Sequence, residues 1–292
     1  MDALIPFANL RGDYAGMAAD WTVPQQVDAY SAEHQAVWRL LVERQTALAE
    51  RHACPEFLEG LRTLGIGETI PDFDAVNARL ELLTGWRVVG VPGLIPDAVF
   101  YDHLAHRRFP VTVWIRKRSE IDYLVEPDLF HDFFGHVPLL SNTVFADYMQ
   151  RYGQRAMEAG AHIDLLARLY WYTVEFGLMQ TPHGLRIYGA GIVSSRSESI
   201  FALDDPSPNR LGFDLERVMR TPYRIDDFQQ VYFVIASLQA LLAASLQDFA
   251  PIYARLDGAA DIPIAEITAA DPVFSTGTQA YALAGGRTGE AA

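Results

Sequence analysis

The chain has 292 residues, 50% of them hydrophobic and 21% charged, which is enough to bury a substantial core in one large domain or two ordinary ones. Its formal net charge of −14 argues against nucleic acid or an anionic membrane surface as a partner. A single cysteine, Cys54, excludes an internal disulfide and fits a reducing cytoplasm.

Residues 1–24 scatter proline, glycine and aromatics without a period and read as an extended N-terminal arm. The opening MDALIPFANLRGDY lacks a basic stretch followed by a continuous apolar one, so no secretory leader is expected. From Gln25 to about Ala53 the pattern turns helical, with Val37, Leu40, Leu41, Ala47 and Leu48 as the apolar stripe. Cys54 falls in an interhelical loop before Pro55 and is not expected to be a nucleophile. Pro55 to Leu64 forms a second helix ended by Gly65 and Gly67, and Asp72 to Leu83 a third, capped by Asp72. Gly85 to Val91 (GWRVVGV) predicts a strand, and Pro92-Gly93 a turn. A short helix over Pro96 to Ala105 and a second strand over Val111 to Ile115 follow.

Further on, long helices are predicted over Thr143 to Ala159 and Ile163 to Met179, then a short hairpin near 184–188. Asp227 to Leu256 is mostly apolar and reads as one long packing helix. No uncharged apolar run of the roughly 18 residues a membrane span needs appears in the sequence, so none is expected; residues 235–247 come nearest but are too short and carry Gln and Ser. From about 258 the chain is rich in Ala, Gly, Thr and Ser and ends GGRTGEAA, which predicts a flexible tail over 258–292 with little to bury. No heptad repeat marks that end, so a monomer is expected. The fold class is mainly α with a minor β component (α+β), with a single catalytic domain over 25–257.

Chemistry concentrates at Glu126-Pro127-Asp128-Leu129-Phe130-His131-Asp132-Phe133-Phe134-Gly135-His136. Pro127 suits the first turn of a helix, and Asp128 places negative charge near its positive end. On an unbroken helix a residue five further on lies about 140° around the axis, so the two imidazoles would diverge. Gly135 can relax this by ending or bending the last turn, letting both rings point at one atom. The alternative is two unrelated histidines, one in the core and one outside. A third group bears on the choice. Tyr170-Trp171-Tyr172-Thr173-Val174-Glu175-Phe176-Gly177-Leu178 is a strongly apolar run holding one carboxylate, which is costly to bury without compensation. Glu175 either pairs with an arginine or binds the same metal as His131 and His136. Two histidines and a carboxylate that leave half the coordination sphere open are the pattern of non-haem Fe(II) enzymes that use oxygen.

The blocks EPDLFHDFFGHVPL (126–139), YWYTVEFGL (170–178) and YGAGIVSS (188–195), in this order, resemble the aromatic amino acid hydroxylases. These are pterin-dependent, Fe(II)-containing monooxygenases, and the bacterial phenylalanine 4-hydroxylases are nearest in size. The similarity extends over roughly residues 20–255. It implies Fe(II) on His131, His136 and Glu175, a tetrahydropterin such as tetrahydrobiopterin, and O2 as co-substrate. One oxygen atom goes to the aromatic ring and the other leaves on the pterin. L-phenylalanine is the implied substrate and tyrosine the product, in the cytoplasm.

Arginine meets a carboxylate bidentately, so a member of Arg116-Lys117-Arg118 suits an amino acid substrate, although the spacing alone also fits a solvated charge cluster. The resemblance picks Arg116, with Asp128 as its positioning partner. It implies that Pro127, Trp171 and Val234 wall the substrate ring, and that Ser194 lies near His131 at the substrate end of the site. The serines at 194 and 195 otherwise read as ordinary turn chemistry. Tryptophan hydroxylases usually carry a smaller aromatic residue at the place of Trp171, which favours phenylalanine. For the pterin, Gly93, Leu94 and Ile95 match the family's loop, Phe100 its stacking aromatic, and Tyr170 joins them; Phe100 would otherwise read as plain core. Asp132 stands where the animal enzymes carry Glu, a shorter arm that needs a water to reach the pterin.

Tyrosine or tryptophan hydroxylation are the rivals within the family, and a zinc hydrolase is the rival outside it. HExxH is absent, since Asp132 follows His131 and the histidines lie five apart rather than four. A structural metal staple would close its fourth position with another Cys or His, and none is in sight.

Overall fold

The computed structural model describes residues 10–122, 124 and 126–286. Over these residues the protein is mainly helical with a minor β component, as its sequence predicts. Two compact units can be distinguished, one ending at Gly160 and the other beginning at Ala161.

The first unit holds α1 (Ala32–His52), α2 (Pro55–Leu64), α3 (Phe73–Thr84), β1 (Arg87–Val91), α4 (Asp97–Ala105), β2 (Arg108–Thr112) and α5 (Thr143–Glu158). The helix starts are set by short polar side chains that accept otherwise orphaned backbone N–H groups. Ser31 Oγ accepts from His34 N, Asp72 from Asp74 N, and Asn142 from Val144 N and Phe145 N. At the C-terminal ends of α2 and α3, Gly65 and Gly85 adopt left-handed conformations. Strands β1 and β2 pair in parallel, from Arg87 opposite Arg108 to Val91 opposite Thr112. The second strand therefore begins three residues earlier than Val111. Pro110 lies inside it, which a two-stranded sheet tolerates because each strand keeps an edge that needs no donor. The N-terminal arm, described from residue 10, is tied down by Val23 N donating to Gly90 O and Tyr14 Oη to Leu94 O.

This core fixes one segment above all. Phe130, Phe133 and Phe134 are fully buried. Trp38 of α1 meets Phe130 and Phe133 edge-on, Phe73 stacks on Phe133 at 5.7 Å, and Phe57 meets Phe134. The stretch between Asp128 and Ser141 is thereby anchored by its aromatic face, leaving its histidines to be aimed. Immediately after His136 a tight 3-10 turn, Val137–Ser141, packs on α2. A Cβ at Gly60 of α2 would collide with the Pro138 carbonyl, so this approach depends on glycine.

The second unit contains α6 (Ile163–Tyr170), β3 (Leu178–Thr181), β4 (Gly184–Ile187), α7 (Ala190–Val193), α8 (Arg196–Asp204), β5 (Asn209–Gly212), α9 (Leu215–Met219), β6 (Val231–Ile235), α10 (Leu238–Ser245), α11 (Ala250–Leu256), β7 (Val273–Ser275) and α12 (Ala280–Leu283). Its sheet has the order β4-β3-β6-β5-β7, with β6 parallel to both neighbours and every residue of it buried. The expected helix over 227–256 is therefore a strand followed by two short helices. VYFVI is apolar without alternation because both faces of a central strand are covered, and such a run carries no period that distinguishes it from a buried helix. The helix expected over 163–179 likewise ends near Phe176, and Leu178 to Thr181 turns into the β3–β4 hairpin.

The segment from 258 buries more than its composition predicts. β7 pairs with β5, Asp271 forms a buried ion pair with Arg217 at 3.0 Å, and Tyr281 Oη donates to Asp227 at 2.9 Å. Sparse apolar side chains are compensated here by polar contacts that composition does not reveal. Residues 1–9 and 287–292 lie outside the described residues. Among the described residues no helix is long and apolar enough to cross a membrane.

Replacing Gly60 with alanine sets a helix-propensity gain of about 1 kcal/mol against overpacking onto a backbone carbonyl, which costs about 1–3 kcal/mol. We expect Gly60→Ala to lower the urea unfolding midpoint, and a neutral or raised midpoint would contradict the close approach.

Candidate metal centre and its surroundings

Asp128 opens the first ligand segment. Its Oδ1 accepts the His131 N–H at 3.1 Å while its carbonyl accepts Asp132 N at 3.0 Å, so Asp128 is the cap and Pro127 stands just outside the helix rather than in its first turn. Residues His131 to His136 then form a π-helical turn. Such a turn closes between residues five apart, a wider circuit than the α-helix, and recurs at functional sites. Gly135 is buried inside this turn without a positive φ, so of the two expected ways of relaxing the last turn it does not end it; the turn widens around it. The His131 and His136 rings sit 5.2 Å apart between centroids at 84°. His136 is buried and His131 half-buried.

The second ligand segment has the same device. After α6, Trp171 to Glu175 forms another π-helical turn, closed by Phe176 N donating to Trp171 O at 2.8 Å. Glu175 is its last residue. Gly191 leaves the carboxylate room, since a Cβ there would lie 3.1 Å from Glu175 Oε2 and 3.0 Å from Phe176 Cζ. One nitrogen of His131, one of His136 and one carboxylate oxygen of Glu175 all lie within 4.8 Å of one another. Two neutral imidazoles and a carboxylate, one ligand atom each, fit a ferrous ion and leave positions for water or O2. The lone cysteine has no part in this set. Burial pushes the Cys54 thiol up to about 12, which keeps it protonated.

Arg116 and Asp128 form a buried pair. Arg116 Nε donates to Asp128 Oδ2 at 2.9 Å, Nη2 to Oδ1 at 2.8 Å, and the Arg116 backbone N–H to Oδ2 at 2.9 Å. Burial opposes ionisation of Asp128, but the hydrogen bonds and charge of Arg116 outweigh it and hold the carboxyl below its ordinary range. Arg116 Nη1 spends a further N–H on Ile121 O at 3.4 Å. A guanidinium has five N–H donors, so one remains on each terminal nitrogen beyond the bonds to the described residues. Asp132 Oδ2 accepts Thr112 N at 2.8 Å, tying the end of β2 to the first ligand turn. Burial pushes this carboxyl up, against the opposing influence of His131, the Thr112 N–H and His136.

Among the other expected site residues, Phe100 is half-buried and meets Phe109 edge-on at 6.2 Å, and Phe109 tilts against His136 at 4.9 Å. Gly93 lies in the loop after β1 with a φ of 153°, followed by the half-buried Leu94 and Ile95. Tyr170 ends α6, just before the second ligand turn. Trp171 stacks on Tyr223 at 4.5 Å, tilts against Phe176 at 4.6 Å, and donates its indole N–H to Gln229 Oε1 at 2.9 Å. Val234 is buried in β6 opposite Gly212 and Leu178. Ser194 Oγ donates to Ala190 O at 2.7 Å, the back-bonding expected of a serine at a helix end. Sequence reasoning missed Phe109, Thr112, Tyr223 and Gln229. None has a local signal, because each arrives from a strand or loop distant in the chain.

The model of the family described as biopterin-dependent aromatic amino acid hydroxylase matches residues 6–256. Over 285 residues the chain is 61% identical to the phenylalanine-4-hydroxylase of Caulobacter vibrioides, covering 96% of this chain and 97% of that one. The structure of Chromobacterium violaceum phenylalanine hydroxylase with bound oxidised Fe(III) matches with a TM-score of 0.85 at 56% identity, covering 88% of this chain and 94% of that one. The iron- and phenylalanine-bound structure of the same enzyme matches with a TM-score of 0.83 at 55% identity, covering 87% and 94%.

Glu175→Ala should leave two imidazoles as the only protein ligands, and iron content after reconstitution and desalting should fall well below one per chain. Retention of full occupancy would contradict the ligand set. Asp128→Ala strands a buried guanidinium and uncaps His131, so unfolding free energy from denaturant titration should drop by about 3–5 kcal/mol. A drop under about 1 kcal/mol, the range of an exposed pair, would contradict the pairing. Because folding lowers the Asp128 carboxyl, the pair's contribution is complete at neutral pH and is lost as pH falls through that lowered value.

Proposed function

The chain belongs to the biopterin-dependent aromatic amino acid hydroxylase family, and we propose that it hydroxylates L-phenylalanine to L-tyrosine with O2 and a tetrahydropterin at a non-haem Fe(II) centre. The observation that carries this reading is the convergence of His131, His136 and Glu175, whose ligand atoms lie within 4.8 Å of one another. When bound, the ferrous ion and reduced pterin supply the activation of O2 that no amino acid side chain can provide.

The chain's own residues bind and orient. His131 and His136 hold the metal as neutral imidazoles, and Glu175 adds one negative charge that lowers the net charge of the centre. Arg116 takes the substrate carboxylate on the N–H groups left over from Asp128, and Asp128 keeps the guanidinium from swinging away. Trp171, Pro127 and Val234 wall the substrate ring and exclude water from it. Ser194 supports the substrate end of the site. The pterin takes the loop Gly93, Leu94 and Ile95 along its edge, with Phe100 and Tyr170 as its aromatic surroundings. Asp132 reaches it through a water, since one of its oxygens is already committed to Thr112. Trp171, pinned between Tyr223 and Phe176, limits the width available to the ring and supports phenylalanine over the bulkier tryptophan.

Purified protein supplied with Fe(II), tetrahydrobiopterin and O2 should convert phenylalanine to tyrosine, with tryptophan and tyrosine turned over more slowly. Hydroxylation of another aromatic amino acid without tyrosine formation from phenylalanine would overturn the substrate assignment.

A further inference from the structure

Gln229 is a buried amide, 3% exposed, in the loop leading into β6. Its Nε2 donates to two backbone carbonyls, Arg224 O at 3.0 Å and Asp227 O at 3.2 Å. Two acceptors at one end of an amide dictate which end is nitrogen, so the oxygen must face the other way. There it accepts the indole N–H of Trp171 at 2.9 Å. Among the described residues, the rings against Trp171 are Tyr223 at 17° and Phe176 at 32° between planes. Stacking resists tilt but allows a ring to slide and turn within its own plane. The hydrogen bond to Gln229 adds an in-plane restraint, fixing where the indole N–H points. Trp171 is also the residue whose carbonyl closes the turn ending in Glu175.

We infer that Gln229 is a positioning residue for the substrate, acting through Trp171: it fixes the in-plane orientation of the indole that walls the aromatic ring, and so sets affinity and ring-size preference without touching substrate or metal. This inference rests on the proposed role of Trp171. A buried amide whose bonds served folding alone would affect stability but not the choice between amino acids.

The test uses the iron-loaded enzyme with tetrahydrobiopterin. Gln229→Met keeps length and apolar volume but removes the acceptor, and Gln229→Asn draws it back, serving as the second lesion should the first fold poorly. Either should raise KM for phenylalanine by about three- to tenfold, the loss expected for one buried hydrogen bond. Its kcat should stay within about twofold and iron content should be unchanged. The preference for phenylalanine over tryptophan, measured as the ratio of kcat/KM values, should fall by a similar factor. In a Trp171→Phe background, which has no indole N–H, Gln229→Met should add nothing further. If Trp171→Phe shifts the substrate ratio while neither Gln229 variant does, or if the Gln229 effect persists undiminished in that background, the inference fails and the wall assignment stands. If Trp171→Phe itself leaves KM and the ratio unchanged, both fail.

Discussion

Two histidines five residues apart cannot both face one ion from a regular α-helix, and the geometry of the centre depends on how the chain removes that obstacle. An α-helical step of about 100° per residue would send the second ring about 140° away from the first. The backbone responds by widening into a π-helical turn from His131 to His136. Glu175 arrives at the end of a second such turn. Wider turns have poorer packing along their axes and form where surrounding contacts over-determine them. Here that support is visible in the aromatic anchoring of Phe130, Phe133 and Phe134 against Trp38, Phe73 and Phe57. On the other segment Trp171 is held by Tyr223 and Gln229. The ligands are thus placed by what lies behind them.

Carboxylates near the ligand turns have separate duties, and their environments push them in opposite directions. Asp128 is buried yet held ionised by Arg116, and it caps the turn at His131. Asp132, one residue beyond His131, is pushed up by burial and tied to the backbone of Thr112. Glu175 is kept for the metal, with Gly191 beside it in place of any larger residue. Both oxygens of Asp128 are committed to Arg116 and the His131 N–H, bonds that would have to break before it could compete for an ion.

Much of this was legible in the sequence. The lone carboxylate in an apolar aromatic run is costly to bury without compensation, yet the residues alone left two unrelated histidines and an arginine partner open, and the resemblance of three ordered blocks pointed to the shared metal. The cap at Asp72 and the strand Arg87–Val91 follow from local rules of turn chemistry and β-propensity. What failed to show was structure decided by distant packing. Val231 to Ile235 looks like helix interior until strands on both sides cover it. Leu178 to Thr181 leaves its helix to pair with β4 in a hairpin on one side and β6 on the other. Gly135 could relax the last turn by ending or bending it, and the turn widens around it rather than ending there. Composition could not reveal that the stretch after 258 adds a strand to the sheet and buries Asp271 against Arg217.

X-ray absorption at the iron edge of the metal-loaded protein addresses the ligand set itself. A first shell of nitrogen and oxygen only is expected, with the outer scattering of two imidazoles and remaining positions filled by exchangeable water. A sulfur ligand, a third imidazole, or a fully protein-closed shell would contradict it.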